Sequence, residues 1–489
     1  MADDDVGVPG IAPLETDERA DPLELDAETM RELGYRIVDL LVERTTTLEA
    51  TRAWRGASRA EMESRLREPP PEQPTDFDEL LRRLAADVLP FAGHHDHPRF
   101  FAYVPSCPTW PGILGDFLAS GVNTFQGTWL QSAGTSTVEL VVIDWFRQWI
   151  GYPGQASGIL LSGGSQANLT ALACARETQP GGRSENAVVY LSSQGHSSVT
   201  RALRVLGFAS EQVRALPVDE GYRLRPDALA AAIENDVRAG RQPFLVVANA
   251  GATSTGAVDP LDELAAVCAE SSVWLHVDAA YGGFAVLTER GRALLAGIEQ
   301  ADSITLDPHK WLYQPYEAGC LLVREGPLLS GAFHIMPDYL QDTAVGGVEV
   351  NFADRGIQLT RSARALKLWL SLQYFGVDAF RSAIDRSLDL ALHAERRIDA
   401  SPELELLSPA TLGIVCFRRH PAGTDEAGTL ERLNSDLDRR LAESGEGMIS
   451  STRVDGRYAL RLCILNHRSR AEDVERVLAW LESAPIAVP

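Results

Sequence analysis

Lysine is almost missing from this chain. Two occur among 489 residues, Lys310 and Lys367, although Lys and Arg together number 45. Arginine carries positive charge at least as well as lysine, but its guanidinium stays protonated and cannot condense with an aldehyde, as a deprotonated amine can. A sequence that writes its cations as arginine, yet keeps lysine in Ser303-Ile-Thr-Leu-Asp-Pro-His-Lys-Trp, points to an amine with chemistry of its own. Positive charge is scarce too. Against 68 acidic residues the formal charge is −23, which argues against nucleic acid or an anionic membrane as a partner. Close cysteine pairs are also lacking: Cys107, Cys174, Cys268, Cys320, Cys416 and Cys463 stand far apart. Neither a disulfide framework nor a zinc site is expected, and buried thiols in a reducing compartment fit better. No apolar run is long enough to span a bilayer, and no basic then apolar leader opens the chain. The expectation is a soluble cytoplasmic protein.

What is present has ordinary globular composition, 45% hydrophobic and 23% charged, with length for more than one domain. Residues 1–26 are rich in Asp, Glu and Pro and read as a flexible tail. Met30, Leu33, Ile37, Leu40 and Leu41 repeat with helical period. After a proline-rich break a second helix is expected over Phe77–Val88, giving a helical segment over 27–109. Five short apolar runs follow between Ile159 and Arg324: Gly158–Leu161, Ala187–Leu191, Phe244–Ala248, Val273–Val277 and Ser303–Leu306. They alternate with amphipathic segments, so an α/β unit over 110–366 is expected, a mainly parallel sheet covered by helices. A helix starting near Thr360 leads into 367–489. There Leu412–Arg418 and Tyr458–Leu465 read as antiparallel strands and Thr429–Glu443 and Ala471–Ser483 as helices, a small α+β domain.

Lys310 follows one predicted strand, and Asp278, in Asp278-Ala-Ala-Tyr-Gly-Gly, ends the strand before it. A crossover helix around Arg292–Gln300 would place both at the carboxyl ends of neighbouring strands, where open α/β sheets bind ligands. The turn Ser162-Gly-Gly-Ser-Gln, opening a helix near Gln166, presents backbone N–H groups to an anion. A lysine for a carbonyl, a carboxylate for a protonated ring nitrogen and a helix N-terminus for a phosphate are together what pyridoxal phosphate needs. His196, in Gln194-Gly-His-Ser-Ser, adds a flat ring that could stack on the cofactor. The cluster His94-His-Asp-His lacks an ordered set of further ligands, so no metal is expected.

With His97-Pro-Arg-Phe-Phe-Ala-Tyr-Val-Pro, Gly163-Gly-Ser-Gln-Ala, Gln194-Gly-His-Ser-Ser, His276-Val-Asp-Ala-Ala-Tyr, Asp307-Pro-His-Lys-Trp and Arg364-Ala-Leu-Lys-Leu-Trp in order along it, the chain resembles the group II pyridoxal-phosphate-dependent decarboxylases, nearest the aromatic-L-amino-acid decarboxylases. The resemblance implies fold type I and a homodimer with shared active sites, the N-terminal helical segment packing on the partner. It implies that Lys310 links to the cofactor, that Asp278 pairs with the ring nitrogen, and that His196 and Ala280 lie against its two faces. Thr253 would face the ring oxygen or the lysine link. Gly164 and Ser165 would hold the phosphate, with His309 near and Thr360 arriving from the partner. Asp307 stands where many relatives carry asparagine, and a carboxylate beside a phosphate must point elsewhere or be compensated. Lys367 falls on a helix face and is read as an ordinary surface lysine.

Pyridoxal enzymes of this fold catalyse several reactions, so the choice rests on local residues. In the family a mobile loop carries a tyrosine that returns a proton to the substrate carbon after carbon dioxide leaves, and Tyr339 occupies that place. Relatives with phenylalanine there, or asparagine at the stacking histidine, favour oxidative deamination to an aldehyde. Tyr339 and His196 therefore favour simple decarboxylation to the amine. The resemblance places His95, Tyr103, Val104 and Pro105, with Phe125 from the other subunit, around the substrate side chain. Aromatic amino acids come first as substrates, although His95, Gly127 and Thr360 depart from common family residues. A decarboxylase of bulky aliphatic amino acids, an aldehyde synthase and a degenerate scaffold that only binds are the alternatives.

Overall fold

The structure is a computed structural model and describes residues 23–105, 107–335 and 348–486. Seven strands build the central sheet: β1 (Ser157–Leu161), β2 (Ala187–Ser192), β3 (Val213–Leu216), β4 (Gln242–Asn249), β5 (Trp274–Asp278), β6 (Ser303–Leu306) and β7 (Gly319–Val323), in the order β1-β7-β6-β5-β4-β2-β3. From β3 to β6 every neighbour is parallel. β7 then reverses against both β6 and β1, so the sheet is mainly parallel, as expected, with one antiparallel end.

Two of these strands escape sequence reasoning. β3 is four residues with an arginine inside it, and β7 is five buried apolar residues; runs that short have no period to separate strand from buried helix. The crossover between β5 and β6 also differs from the single helix expected at Arg292–Gln300. It consists of a 3-10 turn (Gly283–Leu287), a short helix (Glu289–Leu294) and a second 3-10 turn (Ile298–Gln300). The helix expected from Thr360 begins only at Ala365. Ahead of it, Arg361 and Arg364 are drawn to Glu139 and Glu317, and the chain there follows those contacts instead of coiling.

At the N-terminal side, the helix Ala27–Thr47 starts at Asp26, whose carboxylate accepts hydrogen bonds from the N–H groups of Glu28 and Thr29. None of its residues is buried. The segment expected as one helix over Phe77–Val88 is α-helical over Phe77–Arg83 and a π turn over Leu84–Val88. Toward the C-terminus, β8 (Leu404–Thr411), β9 (Ile414–Arg419), β10 (Ser450–Val454) and β11 (Arg457–Cys463) form a second, wholly antiparallel sheet in the order β10-β11-β9-β8. The helices Ala427–Ser444 and Ala471–Ser483 help close its own core around Phe417, Leu437, Leu460 and Val477. Among the described residues no helix is long and apolar enough to cross a membrane.

Register is what positions the chemistry. Asn249 at the end of β4 pairs with Asp278 at the end of β5, and Asp278 pairs with Thr305 of β6. Three parallel strands thus finish at one level, and the turns beyond them carry the functional side chains.

Candidate active site

Lys310 lies on the single helical turn Pro308–Trp311 directly after β6. The turns beyond β5 and β6 are tied together by stacking of Tyr281 on Trp311, with ring centroids 5.3 Å apart. Lys310 Nζ projects into a cavity of about 300 Å³ that Asp278, His196, Thr253, Ala280, His309, Gly164 and Ser165 also line. Eight residues singled out from the sequence therefore converge on one space. A ninth joins them. Asp307, which sequence reasoning left off the site, lines the same cavity with its Oδ2 3.1 Å from Lys310 Nζ and 3.6 Å from His309 Nε2. Its carboxylate is compensated by the lysine instead of pointing away. His309 Nδ1 lies 2.6 Å from the carbonyl of Ala318, which fixes the ring, and burial holds its pKa below the ordinary value.

Asp278 is held by a chain of hydrogen bonds that runs back into the sheet. Asn168 Nδ2 donates to Asp278 Oδ2 at 2.8 Å and to Ser198 Oγ at 2.9 Å. Because the amide nitrogen faces those acceptors, Asn168 Oδ1 must accept from His276 Nε2, 3.1 Å away. His276 Nδ1 then accepts from the Ser303 hydroxyl 2.8 Å away, whose oxygen accepts from the Trp274 indole at 2.9 Å. Full burial pushes His276 down to about 4, so the ring is neutral at neutral pH and serves as a spacer of fixed tautomer. On the other side Ser198 Oγ sits 2.8 Å from His196 Nδ1. Asn168 thus orients both the carboxylate and, through Ser198, the His196 ring. The protein packed around part of the His196 ring holds its pKa below the ordinary value, the nearby Asp278 opposing this.

The turn expected to take an anion is the N-terminus of the helix Gly164–Thr178, which has no side-chain cap. Its first N–H groups are consequently left to a ligand. A β-carbon at Gly164 would stand 2.9 Å from Asp307 Oδ2 and 3.0 Å from the Ala280 methyl, so only glycine lets the turn, the Asp307 carboxylate and Ala280 close on one another. Lysine, carboxylate and uncapped helix end face the same cavity from three different strand ends, an arrangement that fits a phosphorylated aldehyde with a ring nitrogen.

The profile of the Pyridoxal-dependent decarboxylase conserved domain matches residues 60–420. This chain belongs to that family. The decarboxylase is 43% identical to the aromatic-L-amino-acid decarboxylase of Bacillus atrophaeus over 96% of its own length and 98% of the relative. It is 32% identical to the phenylacetaldehyde synthase of Arabidopsis thaliana over 90% of its length and 92% of that protein. The structure of Oryza sativa TDC with PLP and tryptamine superimposes with a TM-score of 0.89 at 29% identity, covering 94% of this chain and 98% of the other. The protein is therefore a carboxy-lyase whose cofactor is pyridoxal 5'-phosphate and whose reaction is amino-acid decarboxylation.

The residues expected at the substrate are more dispersed. Tyr103 and Val104 line a neighbouring cavity that shares His196, Thr253 and Lys310 with the first, while Pro105 is buried behind them. Sequence reasoning missed the post that holds this wall: Arg461, 4% exposed, donates to the carbonyl of Tyr103 at 2.7 Å and to that of Thr253. His95 stands further out, its ring stacked on Phe100 at 4.8 Å and its Nδ1 3.2 Å from the Tyr316 hydroxyl. The Tyr316 ring in turn lies 5.0 Å from that of His309. Phe125 and Thr360 do not reach Lys310 in their own protomer and line a different cavity. Tyr339 lies outside the described residues. Among the described residues no group of three or more His, Cys, Asp and Glu could hold a metal; in the His94–His97 stretch, His94 Nδ1 meets the carbonyl of Arg52 and Asp96 pairs with Arg44.

Lys367 is not the surface lysine expected from the sequence: it is buried. At 2% exposure its Nζ donates to Asp116 Oδ2 at 2.9 Å and to the carbonyls of Pro315 and Glu317, each at 3.0 Å. Three acceptors around one point suit an ammonium and not the planar fork of arginine, which explains the second lysine in a chain that otherwise avoids the residue.

Proposed function

We propose that this enzyme decarboxylates aromatic L-amino acids to the corresponding amines, as a homodimer in which each active site is completed by the partner subunit's Phe125 and the partner subunit's Thr360. The observation that carries the reading is the convergence of Lys310, Asp278, His196 and the uncapped Gly164 helix end on one cavity. When bound, pyridoxal phosphate supplies an electron sink for the pair left on the substrate α-carbon as carbon dioxide departs. Asp278, oriented by Asn168, would keep the ring nitrogen protonated. His196 and Ala280 would lie against the ring, and the Gly164 and Ser165 end of the helix would hold the phosphate. The wall of Tyr103 and Val104 accepts an apolar side chain, and Tyr339 returns the proton to the α-carbon so that amine is the product.

The dimer is supported by apolar surface that one protomer leaves open. On the helix Ala27–Thr47, Met30 is 56% and Tyr35 66% exposed, and near Phe125, Phe117 and Val122 are 67% and 65% exposed. Patches of this kind mark subunit contacts. The six cysteines, all buried and unpaired, suit the reducing cytoplasm. The test is a panel of aromatic and bulky aliphatic amino acids scored for carbon dioxide, amine and peroxide together. Aromatic substrates should give carbon dioxide and amine in equal amounts with little peroxide. Preference for aliphatic substrates would overturn the substrate assignment, and aldehyde with stoichiometric peroxide would make the enzyme an aldehyde synthase.

A further inference from the structure

Phe125 and Thr360 are 235 residues apart in sequence, yet the residues that follow them are locked to each other. The N–H of Gln126 donates to the carbonyl of Arg361 at 3.0 Å, and Arg361 Nη1 donates back to the carbonyl of Gln126 at 3.1 Å. A β-carbon at Gly127 would lie 2.6 Å from the carbonyl of Leu359, so the two segments touch backbone to backbone. Behind them Arg361 and Glu139 form an ion pair whose side chains are both 0% exposed, with Nη2 2.6 Å from Oε1. Glu139 Oε2 also accepts from Gln126 Nε2 at 3.2 Å.

The same pair grips the sheet. β1 is an edge strand, and on its open side the Leu160 N–H donates to Glu139 Oε1 at 2.9 Å while Arg361 Nη2 donates to the Leu160 carbonyl at 2.6 Å. Carboxylate and guanidinium thus take the place of a missing neighbouring strand. The guanidinium also lies 5.0 Å from the Phe352 ring centroid. A fully buried ion pair is weak support for stability in itself, since apolar residues could fill such a site as well, but it fixes geometry sharply because both charges need every partner.

We propose that the buried Glu139–Arg361 pair is a positioning clamp that sets Phe125 and Thr360, through their neighbours Gln126 and Arg361, at the angle needed to complete the active site of the other subunit. The pair acts in trans: it lies in one protomer and governs chemistry at the Lys310 of its partner. The inference rests on the shared-site reading above and adds to it the element that determines how well the sharing works.

Hybrid dimers test it. Chains carrying Glu139→Gln, or Arg361→Lys, are co-expressed with chains carrying Lys310→Ala, each with its own tag, and hybrids are isolated by both tags. The Glu139→Gln homodimer should lose about tenfold or more in turnover, and its apoprotein should capture pyridoxal phosphate more weakly by absorbance titration. In the hybrid, the only Lys310 belongs to the clamp-deficient chain but receives Phe125 and Thr360 from an intact clamp. One site of two is then complete, and roughly half the wild-type rate per dimer should return. A clamp that serves its own protomer's site would leave the hybrid as slow as the mutant homodimer, and failure of either variant to assemble into hybrids would make the pair a folding element; both results overturn the proposal. Phe125→Ala paired with Lys310→Ala is the control for the reading beneath it. If that hybrid is not rescued, the shared site itself is wrong; if it is rescued and the Glu139 hybrid is not, only the clamp fails.

Discussion

The crevice at the strand ends and the face bearing Phe125 and Thr360 are built on opposite plans. In the crevice the charged and ring groups meet partners of their own protomer: Asp307 meets Lys310, Asp278 meets Asn168, and His196 meets Ser198. On the other face the backbone is fixed as firmly, by Arg361 and Glu139, but the side chains it presents line a cavity without Lys310. Under the shared-site proposal one chain supplies Lys310, Asp278, His196 and the Gly164 helix end, and the other supplies Phe125 and Thr360. Changes in the crevice should disable the site of the chain that carries them; changes behind the outer face should weaken the partner's site and be repairable in a hybrid dimer.

The sharpest way to break this division is at Lys310. Lys310→Ala should reduce turnover to background and abolish the visible absorbance of the bound cofactor while leaving a folded dimer, and Lys310→Arg should behave the same. Asp278→Asn keeps the shape and removes the charge, so turnover should fall by ~10²–10³-fold, read as kcat with cofactor saturating. Tyr339→Phe should leave substrate consumption largely intact but cut amine formation by about 10²-fold, with peroxide and aldehyde appearing in air. Unchanged amine yield would show that another acid supplies the proton. Asn168→Ala should weaken cofactor binding by about tenfold through loss of one charge-assisted hydrogen bond, measured by titrating the apoprotein, without changing preference among aromatic substrates.

A smaller effect concerns pH. His276 titrates near 4 in the fold because burial disfavours its charged form, against an ordinary value of 6.5. Its folded value lies below the unfolded one, so its contribution is complete above pH 6.5 and is lost as pH falls from 6.5 toward 4, by up to ~3 kcal/mol. His276→Gln should lower the melting temperature at pH 7.5 and flatten its decline between pH 6.5 and 5.

The parts of the molecule legible from sequence share one property: their meaning is local. Lys310, Asp278, Gly164 and His196 each sit within a few residues of a strand end that apolar runs announce, and the helices Ala427–Ser444 and Ala471–Ser483 follow from period alone. What stayed hidden depends on contacts across the chain. Asn168 matters because Asp278, 110 residues away, accepts its hydrogen bond, and Arg461 because Tyr103, 358 residues away, offers a carbonyl. Asp307 was visible, but its compensation by Lys310 required geometry. Likewise Thr360 was placed on a helix because its neighbours have helical spacing; the buried partners of Arg361 and Arg364 override that propensity.

The central claim, that the cofactor binds covalently at the end of β6, can be tested directly because the chain offers only two lysine side chains. The holoenzyme is reduced with borohydride, digested, and the peptides are mapped by mass. The cofactor-derived mass should fall on Lys310 alone. Label on Lys367, or a reduced cofactor attached to no lysine, would contradict the account.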